Sequence, residues 1–349
     1  MDKYNAAHRA SVEAFSKRVR KAYLQAVKDF AKVGKYARLD SAGNLIFVSQ
    51  KTVNSVINPV INTLYETVYA ETVTGINTNW ELAVERNNAL AYSLYGASLD
   101  ELPNAYKTKY LSNNQDALRR FVERKDNGFT ISDKVWANTE QFRDEMKLGI
   151  ETALKRGTSA TKLASELTQY LNEPDKLFRR VKDASGELGL SKAAKDYHPG
   201  QGVYRSSYKN ALRLTGTEIG ASYETSAQEK RKQQDFIVGV EIRVSPRHKA
   251  SDDGGGISCL TLQGKYPKDF DFAWKWHPKC RCMSLNIVKT QDEIWKDIDR
   301  IGEGGEPDTP SINAVDKIPK SYADYANENA EKWGKYKNPP RFYANNAKK

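Results

Sequence analysis

Apolar positions follow helical periods through the first two-thirds of the chain and strand-like alternation after that. Val12, Phe15, Val19, Tyr23, Val27 and Phe30 recur at spacings of three and four, which predicts an amphipathic helix over about residues 11–38. Asp40-Ser41-Ala42-Gly43-Asn44 reads as a turn, and Leu45-Ile46-Phe47-Val48 as a short strand to pair with Tyr36–Leu39. Val53, Val56, Ile57, Val60, Ile61, Leu64 and Val68 resume the helical period, with Pro59 expected to kink that helix or mark its first turn. Trp80, Leu82, Leu90, Leu94 and Tyr95 predict a further long helix, and the polar stretch 96–130 predicts loops or short helices. Another helix is expected over about 133–156, stopped by Gly157, with Thr158 and Ser159 as N-cap candidates for a helix through Leu171. Gly186, Gly189, Pro199, Gly200 and Gly202 predict a flexible connection. A long polar helix follows to about Asp235, with Leu212, Leu214, Ile219 and Tyr223 on a narrow apolar face.

The texture then changes. Residues 237–244 alternate as a strand does, Asp253-Gly254-Gly255-Gly256 is a loop, and Cys282–Ile287 alternates apolar with polar. The expected fold is therefore mainly α with a small α+β module: an elongated helical body followed by a compact β-containing Cys/His module. Four regions follow from this: an N-terminal helical region (1–135), a helical region leading into the module (136–236), the module (237–290), and a linker with a C-terminal tail (291–349). The tail, rich in Tyr, Asn, Lys and Pro, is expected to dock along a partner. No internal repeat is visible.

Composition sharpens this picture. The 349 residues suffice for more than one core, and 28% are charged. A mean hydropathy of -0.72 agrees with solvated helices. No apolar run approaches the ~20 residues that span a bilayer, so no membrane partner is expected. The opening MDKYNAAHRA has neither an apolar stretch nor a small-residue cleavage site, which predicts a cytoplasmic start. The net charge of +11 favours a polyanionic neighbour. Two basic clusters, Lys17, Arg18, Arg20, Lys21 and Lys230, Arg231, Lys232, are the candidate contacts to DNA. Such contact would be independent of base sequence and weaken steeply with salt. Solvated helix faces are the alternative reading of both clusters.

The three cysteines, Cys259, Cys280 and Cys282, all lie in one short window, which argues against a disulfide framework. His277-Pro278-Lys279-Cys280 has the two-residue gap that lets two side chains turn back onto one tetrahedral ion. On an extended segment Cys282 shares a face with Cys280, while His248 and Cys259 supply a second candidate pair. A module of ~50 residues has little core of its own, so a bound metal, zinc by ligand type, would contribute to its folding. A disulfide, or a hydrogen-bonded module with free thiols, remains an alternative. No HExxH or H-x-E…PC-x2-C pattern accompanies the cluster, and Asp252, Asp253, Asp269 and Asp271 supply no evident acid/base partner. No catalytic residue is assigned.

His277-Pro278-Lys279-Cys280-Arg281-Cys282 resembles the HP-x-CRC signature that closes the Mu F-like domain of phage head morphogenesis proteins. The resemblance extends in order over about residues 140–290. It takes in Arg213, Thr217 and Glu218 on the polar helix, Gly239-Val240 on a strand, Arg247-His248, Cys259, and Leu262-Gln263-Gly264-Lys265-Tyr266. Gly216 stands where that family usually has arginine, and the loop between His248 and Cys259 is longer and richer in glycine. The resemblance implies a low-copy minor head (minor capsid) protein with a structural role and no enzymatic activity. It would sit in the virion beside the portal and other head proteins, in contact with packaged DNA and assembled in the bacterial host cytoplasm. The helix motif is expected to dock on the HP-x-CRC strand, with Glu218 accepting from Arg281 or Arg247, and three solvated residues on a polar helix are the alternative reading. The alternatives are a phage-encoded nuclease or toxin fused to a head-associated domain, and a zinc-ribbon DNA-binding protein.

Overall fold

The computed structural model describes residues 3–47, 49, 51, 53–158, 160–172, 180–182, 184–190, 195–196, 204–246 and 257–346. The chain is mainly α, with small antiparallel sheets. Two compact units are assembled from separated stretches. One comprises Met1–Val12, Thr74–Val122 and Gly216–Lys349, and the other Glu13–Val73 and Glu123–Thr215.

In the second of these, helix α1 (Lys3–Ala31) buries the predicted stripe Phe15, Val19, Tyr23, Val27 and Phe30. Tyr23 and Phe30 both meet Phe142 edge-on, at centroid distances of 5.4 and 6.1 Å. Strands β1 (Ala37–Leu39) and β2 (Leu45–Phe47) pair antiparallel, as their sequence predicted. A π-helical turn, Val53–Ile57, runs into helix α2 (Asn58–Tyr95). Pro59 therefore occupies the first turn, where its missing N–H costs nothing and the wider turn upstream makes room for its ring. The two helices expected over residues 50–95 are one. Thr72 and Asn79 are buried and donate to the carbonyls of Val68 and Gly75, so the helix satisfies their polar groups internally. The short helices α3 (Ser98–Glu101), α4 (Asn104–Leu111) and α5 (Gln115–Glu123) belong, up to Val122, to the first unit, and helix α6 (Ile131–Lys155) of the second opens on a Thr130/Asp133 capping box. Beyond α7 (Ala160–Asn172), part of the stretch expected to be a flexible connection forms a hairpin of β3 (Arg180–Lys182) and β4 (Leu188–Leu190).

The other unit holds the module. Helix α8 (Ser207–Gln233) leads into a three-stranded antiparallel sheet ordered β6 (Gly264–Tyr266), β5 (Ile237–Arg243), β7 (Met283–Val288). Registers are Val240 opposite Tyr266 and opposite Asn286. Helices α9 (Gln291–Gly302), α10 (Lys320–Gly334) and α11 (Arg341–Ala344) complete it. The stretch expected to be a linker and a tail docking along a partner packs within this unit. Tyr322, Trp333 and Phe342 join Val240, Tyr266, Phe270 and Trp276 in one aromatic core. Val315 donates its N–H to Val238, and a Cβ on Gly239 would come within 2.8 Å of the Val315 side chain. Five or six large rings in one core are enough apolar area to hold such a segment in place.

Helix α9 is tied to the same stretch through Glu293. Its carboxylate accepts from Ile312 N–H (3.0 Å), the Ser311 hydroxyl (2.7 Å) and Thr290 N–H (2.8 Å). These bonds, the Ile312 N–H foremost, hold its pKa down at about 2, against 4.5 for an ordinary glutamate. A carboxylate lowered in this way stabilises the folded state above pH 4.5, and the contribution is lost as pH falls towards 2. Glu293→Gln is expected to lower the melting temperature at neutral pH and to flatten its decline over that acid window. An acid limb parallel to that of the parent protein would show that Glu293 is not one of the groups responsible.

Candidate metal centre

Three segments bring the ligands together. Cys259 lies in a turn before β6, closed by the Leu262 N–H on the Ser258 carbonyl and by the Tyr266 hydroxyl on the Leu262 carbonyl. His277-Pro278-Lys279-Cys280 is a β-turn with Cys280 N–H donating to the His277 carbonyl (3.1 Å) and Lys279 at φ +60°. Proline at the second position and a left-handed residue at the third suit a type II turn. It folds the histidine and cysteine side chains back towards each other. The chain then extends through Cys282 into β7, with Cys280 and Cys282 buried and Arg281 exposed between them.

Cys259 Sγ lies 3.1 Å from His277 Nε2 and 3.7 Å from Cys280 Sγ. The three ligand atoms fall within 4.8 Å of one another. Cys282, also buried, lies outside this group of three. Two sulfurs bound to one tetrahedral zinc at ~2.3 Å are ~3.7–3.8 Å apart, so the observed spacing fits a shared ion. It is far from the ~2.05 Å of a disulfide, and none of the three cysteines is disulfide-bonded. His277 Nδ1 lies 3.0 Å from the Pro278 carbonyl. Donation there fixes the tautomer and turns the Nε2 lone pair towards the sulfurs, the arrangement that metal-binding histidines use. Burial alone would raise the Cys280 pKa, but contacts from Cys259, Cys282 and His277 pull it well below the ordinary thiol range. Cys259 is pushed upward, chiefly by Cys280 and then Cys282. The cluster thus favours thiolate at its centre. The buried Cys259–His277–Cys280 group could hold a metal ion.

Around these ligands the packing is apolar on one side, with Ile242, Leu262, Tyr266 and Trp276. On another it is polar and fully enclosed. Lys275 donates to the Cys282 carbonyl (3.0 Å) and lies 3.8 Å from Glu224, whose other oxygen accepts from the Ser284 hydroxyl at 2.6 Å. Arg231 and Arg86 converge on the same serine, at its hydroxyl (3.2 Å) and carbonyl (2.8 Å). The inward face of α8 carries Gly216, Gly220 and Glu224 at helical spacing, and the stems of Lys279 and Lys275 lie within 4 Å of where glycine Cβ atoms would be. Sequence reasoning missed Lys275 and Glu224. The run of small residues four apart ahead of Glu224 was the available signal for a face under close cover.

Other expected site residues are distributed differently. His248 and Arg247 lie outside the described residues, as do Asp252 and Asp253. Lys230 and Arg231 are not polyanion contacts, because both are 0% exposed. Lys230 donates to the carbonyls of Tyr110 and Ser112 at 2.5 and 2.9 Å, and its burial lowers its pKa to about 8. Consecutive helical positions point ~100° apart, so a run of three cations on a packed helix cannot all face water. Lys232 alone of the three is exposed, and pairs with Glu229. In the other cluster Lys17, Arg18, Arg20 and Lys21 are exposed on α1, with Arg18 paired to Glu71 and stacked on Phe15. Glu218 is 2% exposed, while Arg213 and Thr217 are half-buried. Arg281 is exposed, and Arg247, the other expected partner of Glu218, lies outside the described residues. Asp271 accepts from Ala273 and Asn345, a structural use. Among the described residues no helix is long and apolar enough to cross a membrane. No protein-family model, curated protein or solved structure matches this chain.

Proposed function

We propose that this chain is a minor head protein of the Mu F-like type, an assembly component whose Cys/His centre holds a structural zinc ion. The observation that carries the reading is the ordered series on α8, β5, Cys259, β6 and the HP-x-CRC turn, gathered around one closed ligand cluster. A catalytic zinc keeps an open coordination position. Here the ligands are enclosed by Trp276, Tyr266 and the Lys275–Glu224 pair, which favours a structural ion over a reactive one. Zinc is favoured among metals by the soft thiolate and imidazole set at tetrahedral spacing. Contact with DNA is assigned to the exposed α1 cations Lys17, Arg20 and Lys21, with the portal and neighbouring head proteins as the protein partners.

Mass spectrometry and metal analysis of purified, DNA-filled heads of the encoding phage test both parts. The chain is expected in the particles at low copy, and the protein purified under reducing conditions is expected to carry about one zinc per chain. Absence of the chain from heads overturns the assembly role. A folded protein without metal overturns the zinc assignment.

A further inference from the structure

We propose that Cys259 and Cys280 form an oxidation site, a thiol pair that a peroxide converts into a disulfide, and that this disulfide and a bound metal ion exclude each other. The pairing rests on the distance between the two sulfurs, and only the exclusion rests on the metal reading above. The centre thereby has two ways of tying the same turns together: an ion under reducing conditions and a covalent bond under oxidising ones.

The two sulfurs lie 3.7 Å apart, between residues separated by 21 positions in the chain. Closing that gap to the ~2.05 Å of a disulfide takes an approach of roughly 1.7 Å. Rotation about the two Cα–Cβ bonds supplies part of it. Both residues stand outside the strands, so no sheet hydrogen bond opposes a small backbone shift. Cys282 lies outside the group whose ligand atoms fall within 4.8 Å of one another, which leaves Cys259 as the partner placed for Cys280. Cys280, 7% exposed against 1% for Cys259, sits between the exposed Lys279 and Arg281. It is the sulfur that a small oxidant reaches first.

Electrons balance between these sulfurs and one hydrogen peroxide. Cys280, as thiolate, attacks a peroxide oxygen, the O–O bond breaks, and a sulfenic acid and hydroxide result. Cys259 passes its proton to His277 Nε2, 3.1 Å away, and its sulfur attacks the Cys280 sulfur. The S–S bond forms as the S–O bond breaks, and the departing hydroxide takes up that proton and leaves as water. The first hydroxide recovers the proton that Cys280 had lost to solvent. In total two thiols lose two electrons, and the peroxide is reduced to two waters. Thiolate is the form of cysteine that binds metal, and a disulfide is neutral. Oxidation therefore leaves His277 alone of the three ligands, too few to retain an ion.

The test treats the full-length chain, purified under reducing conditions and then freed of reductant, with hydrogen peroxide. Thiols counted in denaturant are expected to fall from about three to about one per chain. Non-reducing peptide mapping is expected to place the bond between Cys259 and Cys280, with Cys282 as the remaining thiol. A metal indicator is expected to register about one zinc released per disulfide formed. A dithiol reductant is expected to restore both the thiols and zinc binding, which separates a disulfide from irreversible oxyacids. Three thiols left intact, sulfinic or sulfonic acid in place of a disulfide, or a bond through Cys282 overturns the pair. A disulfide that forms while zinc stays bound overturns the exclusion. A chain that carries no zinc at the outset withdraws the metal reading, and the peptide map decides the pair all the same.

Discussion

Stripping the ion with a chelator under reducing conditions is expected to open the segment Ile257–Val288 to amide hydrogen exchange while most helical ellipticity is retained. The ligands come from two turns flanking β6 and β7, and those turns have little regular structure of their own. Structural zinc supplies ~10–16 kcal/mol in isolated zinc-finger peptides. Here the aromatic core of Tyr266, Phe270, Trp276, Tyr322, Trp333 and Phe342 remains after metal loss, so only part of that stabilisation is forfeited. A local loss of at least ~3 kcal/mol corresponds to roughly 100-fold faster exchange in that segment. Cys280→Ser is expected to reproduce the effect without chelator, because Cys280 Sγ lies 3.7 Å from Cys259 Sγ within the ligand group. Exchange that is indifferent to both treatments would falsify the view that the ion closes the module.

The second large effect is expected at Asp297. Lys289 Nζ lies 2.6 Å from its carboxylate and 3.0 Å from the Pro307 carbonyl, with both side chains almost wholly buried. The other carboxylate oxygen accepts from Thr309 N–H, so one residue binds β7, α9 and the following loop together. Asp297→Ala leaves an ammonium in the interior without its counter-charge, which costs ~3–5 kcal/mol. Urea unfolding should show this as a shift of midpoint. The double variant Asp297→Leu with Lys289→Met should recover much of the loss, because an apolar pair of similar volume carries no desolvation penalty. A single variant within about 1 kcal/mol of the parent would mean that water reaches Lys289.

Local periodicity carried much of the fold. The α1 stripe, the β1–β2 pairing, the capped α6, the long α8 and the β5 and β7 strands were all legible, because each depends on contacts within a few residues or on side-chain period. The approach of His277 to Cys280 was legible for a similar reason, since a proline turn dictates the local spacing, whereas Cys259 joins them from 18 residues before His277. What escaped was anything that depended on which face another element covers. The alternation of β7 predicted a strand without saying what its polar face meets, and Ser284 is fully buried among Glu224, Arg231 and Arg86.

Charge showed the same limit. Lys230 and Arg231 read as a basic surface patch and are interior donors, and the tail after Ile301, expected to dock along a partner, supplies Tyr322, Trp333 and Phe342 to the core. In each case the residue types are compatible with water or with a partner. The choice falls to distant side chains: the Tyr110 and Ser112 carbonyls for Lys230, Ser284 for Arg231, and Trp276 for Phe342. Secondary structure and ligand spacing are short-range properties and can be read along the chain. Desolvation and charge compensation are sums over neighbours brought together by folding, so they were settled by the packed structure.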